Sequence, residues 1–211
     1  MTVLEAVLGF AIVAALLTVI PGLDTALVLR SSLTRSRSYA VATALGIQAG
    51  TMVWGIAAAV GATALLAVSE IAYQVLSVAG AVYLVGLGVA LLVASFRGHR
   101  IAHADLPVAR GGVVRGWTIG VVTNLLNPKV GVFYLATIPQ FVPAGTSPLA
   151  MGALLAGVHC VLGLTWFAAI IFGSSVIGPR LRTPQFVRWI DRITGGVLIG
   201  FGAKLAFDTR F

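Results

Sequence analysis

The chain is a series of long apolar stretches separated by short polar connections. A helix needs about 20 apolar residues to cross the roughly 30 Å hydrocarbon core of a bilayer, and six stretches reach or approach that length. They lie at about residues 5–29, 40–68, 71–95, 113–142, 148–177 and 187–208. The pattern therefore predicts an all-α integral membrane protein with six transmembrane helices.

The sixth stretch is the least apolar, and it leaves an alternative open. Arg188, Asp191 and Arg192 lie in its first turns, and Lys204 lies near its end. Charged side chains are costly at the bilayer centre, so five spans with one terminus inside are the alternative to six. We place Asp191 too near the preceding connection to count it as a residue of a span interior.

Composition supports the membrane interpretation. Of the 211 residues, 59% are hydrophobic and only 9% are charged, whereas soluble domains carry about 25% charged residues. This composition excludes a soluble enzyme and a disordered chain. A nucleic-acid binder is excluded because the net charge of +8 is not gathered in a basic stripe. No cofactor or metal site is expected: His99 and His103 lie in a connection, and we interpret His159 and Cys160 as packing or polar lining of the fifth stretch.

The connections alternate in charge, which predicts the orientation of the chain. The second connection has no Lys or Arg, and the fourth, at about 143–147, has no charge. Because cytoplasmic loops are enriched in Lys and Arg, the odd-numbered connections are predicted to be cytoplasmic and both termini to lie outside. The basic residues of the odd connections are Arg30, Arg35, Arg37, Arg97, Arg100, Arg110, Arg115, Arg180, Arg182 and Arg188.

The two halves of the chain resemble each other weakly. The segment 9–12 is similar to 116–119, and Pro21 corresponds to Pro128 with the same separation of 107 residues. Three spans are an odd number, so two such repeats would have opposite orientations in the membrane. Inverted repeats with interrupted helices are typical of secondary transporters.

We therefore expect one transporter domain over residues 1–211. Repeat one covers about 1–96, a cytoplasmic loop about 97–112, and repeat two about 113–211. Small residues four apart let helices approach closely, and such faces are also compatible with a homodimer. The glycine pairs with this spacing are Gly46/Gly50, Gly112/Gly116, Gly116/Gly120 and Gly196/Gly200.

The first interruption lies inside the first span. Pro21 lacks an amide hydrogen and clashes with the preceding turn, and Gly22 tolerates conformations that other residues avoid. Backbone groups freed at membrane depth need protein, water or ligand as partners. Asp24 follows directly, and an intramembrane charge is expected to face the bundle interior.

The second interruption lies inside the fourth span and includes Asn124, Asn127, Pro128 and Lys129. Asn127 is predicted to cap a half-helix that begins with Pro128. That half-helix would direct free N–H groups and a partial positive charge at the membrane interior, where they suit a carboxylate. Lys129 adds a full positive charge.

Purely structural roles are also compatible with these residues. Proline kinks are common in membrane helices, Lys129 is long enough to reach an interface, and Asp24 and Lys129 could simply pair with each other. Two matched interruptions beside lone charges of opposite sign nevertheless favour a substrate or coupling role. Thr18, Gln48 and Thr123 are secondary candidates, each of which could equally be a helix-packing hydrogen bond.

These blocks resemble the LysE/RhtB family of amino-acid exporters across nearly the whole chain. Residues 21–29 are similar to the PGPDTALVL-type signature of that family, with Leu23 in place of its second proline. Residues 79–84 with Gly88 resemble its third span, and 123–129 with Phe133 and 139–141 resemble its TNxLNPKxxxFF…PQF block.

The resemblance implies a prokaryotic inner-membrane exporter of amino acids or close derivatives, driven by the proton-motive force. We hypothesise that Asp24 meets the substrate ammonium or carries the coupling proton, and that the 127–129 region meets the carboxylate. An exporter of another small solute, an organic cation or a metal ion, is the alternative, and an enzyme is not expected. The signature positions carried over are Pro21, Gly22, Asp24, Asn124, Asn127, Pro128 and Lys129.

Overall fold

A computed structural model describes residues 1–20, 22–97, 112–173 and 183–208. Pro21 and most of the third and fifth connections, with His99 and His103, lie outside this part of the chain. All regular secondary structure in the described residues is helical. The helices are α1 (Val3–Val19), α2 (Leu23–Thr34), α3 (Arg37–Val68), α4 (Glu70–Arg97), α5 (Val113–Leu125), α6 (Pro128–Thr137), α7 (Pro148–Phe172) and α8 (Pro184–Asp208), with a 3-10 turn at Ile138–Phe141.

Both predicted interruptions are confirmed as gaps between helices. α1 ends and α2 begins around the first one, and α5 ends and α6 begins around the second one. The axis bends by 57° between α5 and the segment Pro128–Phe141, which consists of α6 and the 3-10 turn that follows it. Each bent pair thus corresponds to one predicted span, at 5–29 and at 113–142.

Within the described residues, three helices are long and apolar enough to cross a membrane. They are Arg37–Gly61 within α3, Val78–Phe96 within α4, and the whole of α7. Counting each bent pair as one span gives up to five. α8 is not among them, so the sixth span and the six-helix inverted repeat stay predictions.

Glycine faces bring α3 and α5 into backbone contact. The sequence predicts close helix approach at these glycines but not which helices meet. A Cβ added at Gly46 or Gly120 would overlap the carbonyl group of Trp117 or Thr43, respectively, and one added at Gly50 would lie 2.6 Å from Asn124 Oδ1. Such contacts allow close helix approach. These two glycine-bearing helices form one tightly packed unit.

The glycine prediction for α8 is wrong in its register. Gly196 and Gly200 have open space where a Cβ would lie, whereas a Cβ added at Gly195, one position earlier, would lie 2.7 Å from the carbonyl oxygen of Gly88 in α4. α4 and α8 therefore pack through Gly88 and Gly195. Adjacent positions point in different directions on a helix, so a shift of one residue changes the contact face.

An aromatic core fixes α1 against α6. Phe10 of α1 packs against Phe133 at 6.0 Å and Tyr134 at 6.4 Å between ring centroids, and against Phe141 at 5.6 Å. Phe10, Phe133 and Tyr134 are fully buried. This contact between the two interrupted helix pairs holds their breaks close to each other.

Candidate functional site

A cavity of about 50 Å³ lies between the two helix breaks. Its wall comes from the end of α1, the start of α2, the second break, α3 and α7. We call it the break cavity. It is lined by Leu17, Thr18, Ile20, Gly22, Asp24, Thr25, Ile47, Gln48, Thr51, Asn124, Asn127, Lys129, Val130, His159, Gly163 and Phe167.

Asp24 is held by an amide from the other break. It lies in the first turn of α2, and its Oδ2 accepts a hydrogen bond of 2.9 Å from Asn124 Nδ2. Asn124 is 1% exposed and its Nδ2 also donates to Thr51 Oγ1 at 3.3 Å. The second carboxylate oxygen, Asp24 Oδ1, is buried with no hydrogen-bond partner among the described residues. The side-chain amide of Asn127 also interacts with the Asp24 carboxylate, so both asparagines of the second break act on this group.

The second break is capped as predicted. Asn127 precedes α6, its Oδ1 accepts from the Lys129 amide at 3.1 Å, and Pro128 is the first helical residue. The amides of Val130 and Gly131 both donate to the Asn127 carbonyl oxygen at 3.1 Å. The expectation that this helix end offers free N–H groups to a carboxylate is wrong, because Pro128 has no amide hydrogen and the next three amides are occupied.

The Lys129 ammonium reaches across to the first break. Nζ donates to Leu17 O at 3.1 Å and to Ile20 O at 3.4 Å. Within the described residues it makes no direct ion pair with Asp24, although the two opposite charges attract each other. A Cβ at Gly22 would lie 3.5 Å from Nζ, an ordinary contact distance, so the position of the Lys129 side chain does not require a glycine there. Simple pairing of the two charges is thus not what the structure shows.

A second link between the interrupted helices runs through His159 of α7. Thr18 Oγ1 donates to Ala14 O at 2.7 Å, so it accepts the 3.1 Å hydrogen bond from His159 Nε2. Nε2 therefore carries a hydrogen. In the neutral imidazole Nδ1 is an acceptor, and the Tyr134 hydroxyl then donates to it at 2.9 Å. The two contacts place this ring in the wall of the break cavity.

The predicted site residues mostly meet at this cavity. Seven of them line it: Thr18, Gly22, Gln48, Asp24, Asn124, Asn127 and Lys129. Thr123 and Pro128 are not in the lining, and Pro21 lies outside the described residues. Thr51 and His159 were not among the site predictions. Thr51 lies three residues after Gln48, on the same helix face, so helical periodicity could have pointed to it.

Asp191, which we place near the connection before α8, is 2% exposed on that helix. Its negative charge also acts favourably on the Lys129 ammonium. Asp24 is therefore not the only buried carboxylate that the Lys129 charge interacts with.

Comparison with known proteins identifies the family. The family model described as LysE type translocator matches residues 15–209. The chain belongs to this family. It is therefore a multi-pass membrane protein, and the family points to a transporter.

Individual relatives agree with this assignment. A membrane protein of Bacillus subtilis, YrhP, which is described as uncharacterized, is 25% identical over 95% of this chain and 98% of its own length. The threonine efflux protein of Escherichia coli K12 is 26% identical over 88% of this chain and 89% of its own. The homoserine/homoserine lactone efflux protein of Salmonella typhimurium is 26% identical over 94% of each chain. No solved structure matches the chain.

Proposed function

We propose that this LysE type translocator exports amino acids or close derivatives across the cytoplasmic membrane of a prokaryote, driven by the proton-motive force. The observation that carries the proposal is the break cavity, which holds an anionic and a cationic side chain, Asp24 and Lys129, on opposite helix breaks. An amino acid is a zwitterion, so it presents the complementary pair of charges. The names of the threonine and homoserine efflux relatives support a small neutral amino acid as cargo.

In this proposal Asp24 binds the substrate ammonium and Lys129 binds the carboxylate. Asn124 holds one oxygen of Asp24 in place, which leaves the other for the ligand. Asn127 fixes the start of α6 and thereby the position of Lys129. Without a bound substrate, the Asp24 carboxylate and the Lys129 ammonium need hydrogen-bond partners from the protein or from water, because burying a charge without a partner is costly.

Coupling to protons would follow from competition for one carboxylate. Asp24 cannot hold a proton and an ammonium group by the same oxygen at once. In this scheme the carrier turns outward with an amino acid bound to Asp24 and turns back toward the cytoplasm with a proton on Asp24. One cycle then exchanges an amino acid for a proton. Such exclusive binding gives antiport when the carrier changes orientation only with one of the two ligands bound, because an empty carrier that reoriented would uncouple the two fluxes.

The orientation of the chain belongs to the same proposal. Arginines concentrate in the odd-numbered connections, which supports cytoplasmic odd loops and outward-facing termini. The two matched helix breaks support the inverted repeat, with α8 as the last span. A homodimer stays a prediction from the glycine faces.

The test is uptake of labelled amino acids into energised, inverted membrane vesicles that contain the full chain. We expect uptake of threonine or homoserine to exceed that of lysine, and an uncoupler to abolish it. Vesicles without the protein give the background. If purified, folded protein moves no amino acid in this assay, the amino-acid proposal fails and an exporter of another small solute takes its place. Uptake that persists with the uncoupler rejects proton coupling alone.

A further inference from the structure

Two backbone carbonyls at the end of α1 have lost their helical partners. In an unbroken helix the carbonyl of residue i accepts from the amide of residue i+4. For Leu17 that residue is Pro21, which has no amide hydrogen. For Ile20 it is Asp24, which already belongs to the next helix, α2. The carbonyls at a helix C-terminus carry a partial negative charge, so this pair suits a cation.

A primary ammonium group already occupies these carbonyls. Lys129 Nζ donates to Leu17 O at 3.1 Å and to Ile20 O at 3.4 Å. An ammonium has three hydrogens to donate, and these two contacts use two of them. The Asp24 carboxylate, whose Oδ1 has no hydrogen-bond partner among the described residues, adds a full negative charge that attracts the same ammonium.

We propose that Leu17 O, Ile20 O and Asp24 form a binding site for a primary ammonium group, and that Lys129 fills this site when no ligand is present. This inference rests on the proposed function where it names the ligand as the substrate. The substrate ammonium then replaces Lys129 on the two carbonyls, and the released Lys129 ammonium pairs with the carboxylate of the same molecule.

Self-occupation gives the site a chemical filter. A simple amine that displaced Lys129 would leave a buried ammonium with no new partner, which is costly. An amino acid supplies that partner through its carboxylate. The wild-type protein is therefore expected to bind amino acids and to reject amines that lack a carboxylate, such as inorganic ammonium or a short alkylamine.

The test removes the internal ligand and supplies it as a free molecule. Lys129→Ala deletes the atoms that correspond to propylammonium. We expect propylammonium chloride to raise the melting temperature of the purified full chain saturably in this variant, by roughly 3–6 °C at ten times its Kd. Tetramethylammonium chloride at equal concentration, which cannot donate hydrogen bonds, is expected to give no such shift.

Two matched proteins complete the experiment. The controls are the wild type and Lys204→Ala, which changes the only other lysine of the chain. In each of them, propylammonium chloride and tetramethylammonium chloride should change the melting temperature by the same amount. If propylammonium and tetramethylammonium also act equally on Lys129→Ala, the ammonium site is rejected. If Lys129→Ala does not yield folded protein, Lys129→Met keeps the apolar stem, and ammonium chloride against sodium chloride decides in the same way.

This readout separates the inference from the proposed function. It measures binding of an amine to protein in detergent and requires no transport. If Lys129→Ala binds propylammonium but the wild type exports no amino acid, the ammonium site stands and the export proposal fails. If Lys129→Ala does not bind propylammonium but the wild type exports amino acids, the ammonium site fails and the export proposal stands.

Discussion

The two helix breaks look alike in sequence but differ in how they satisfy their own backbone. α6 begins with a side-chain cap, in which Asn127 Oδ1 accepts from the Lys129 amide. α2 begins at Gly22, which offers no side-chain cap, and α1 ends with carbonyls that accept from Lys129 rather than from their own helix. The start of α6 is thus capped within its own break, whereas the end of α1 is completed by a side chain of the second break.

This difference assigns different tasks to the two breaks. The first provides three acceptors, the Asp24 carboxylate and the Leu17 and Ile20 carbonyls that Lys129 contacts, and so it is suited to bind a cation. The second provides Asn124 and Lys129, which extend to the first break and hold its groups in place. A repeated sequence feature therefore gives one binding half and one supporting half.

The largest effect is expected where the binding half loses its charge. Asp24→Asn should lower the initial rate of uncoupler-sensitive uptake into inverted vesicles by roughly 10- to 100-fold, since hydrogen bonds to charged groups are worth about 1.5–3 kcal/mol. Glu5→Gln is the matched control, because it removes a carboxylate outside the cavity and Gln also serves in a capping box. A wild-type rate in Asp24→Asn would assign binding to another part of the molecule.

A smaller effect is expected where the His159 link between the breaks is cut. Tyr134→Phe removes the donor to His159 Nδ1 and leaves a buried acceptor unpaired, which costs about 1–3 kcal/mol. The free energy of unfolding in detergent should fall by that amount. Tyr83→Phe is the control, since the Tyr83 hydroxyl makes no hydrogen bond within the described part of the chain. Equal effects of the two variants would show that the link adds no stability.

The cap of the supporting half is worth less again. Asn127→Ala should lower the free energy of unfolding by about 1 kcal/mol, the usual value of an N-cap. It should also raise the KM for transport, because the Lys129 backbone amide loses its hydrogen bond to Asn127 Oδ1 and the first turn of α6 is held less firmly. Asn127→Ser retains a capping oxygen and should restore most of the stability. If serine and alanine destabilise the protein equally, capping is not what Asn127 contributes.

The smallest effect is expected at the uncapped start of the binding half. Gly22 has φ −149°, which other residues adopt readily, and a Cβ there would lie at ordinary contact distance from Lys129 Nζ. Gly22→Ala should therefore cost about 0.5 kcal/mol in thermal unfolding. A cost above that of Asn127→Ala would contradict the comparison of the two breaks.

Local chemistry made the breaks and one cap predictable from the sequence. Proline has no amide hydrogen, and Asn before Pro is a strong capping pattern, so the ends of α1 and α5 and the role of Asn127 followed from neighbouring residues. The helix bounds also followed, because long apolar stretches leave little choice in a bilayer. Asp24 and Lys129 could be placed in the bundle interior because a charged side chain that faces the hydrocarbon core of the bilayer is costly in free energy.

The partners of the site residues could not be predicted in the same way. Lys129 donates to a carbonyl 112 residues away, and His159 contacts Thr18 across 141 residues. Such pairs depend on how helices rotate about their axes, which a single sequence does not specify. The same reason accounts for Gly195 rather than Gly196 facing α4, and for the burial of Asp191.

Backbone contact between α3 and α5 restricts how the carrier can change shape. Gly46 and Gly120 leave no layer of side chains between these helices, and sliding of packed helices normally proceeds through small rearrangements of such a layer. The α3–α5 pair is therefore expected to act as a stator that stays rigid throughout the transport cycle. The moving parts would then be α1, α2 and α6, the other helices at the two breaks, which would turn against the rigid α3–α5 pair to admit and release the cargo.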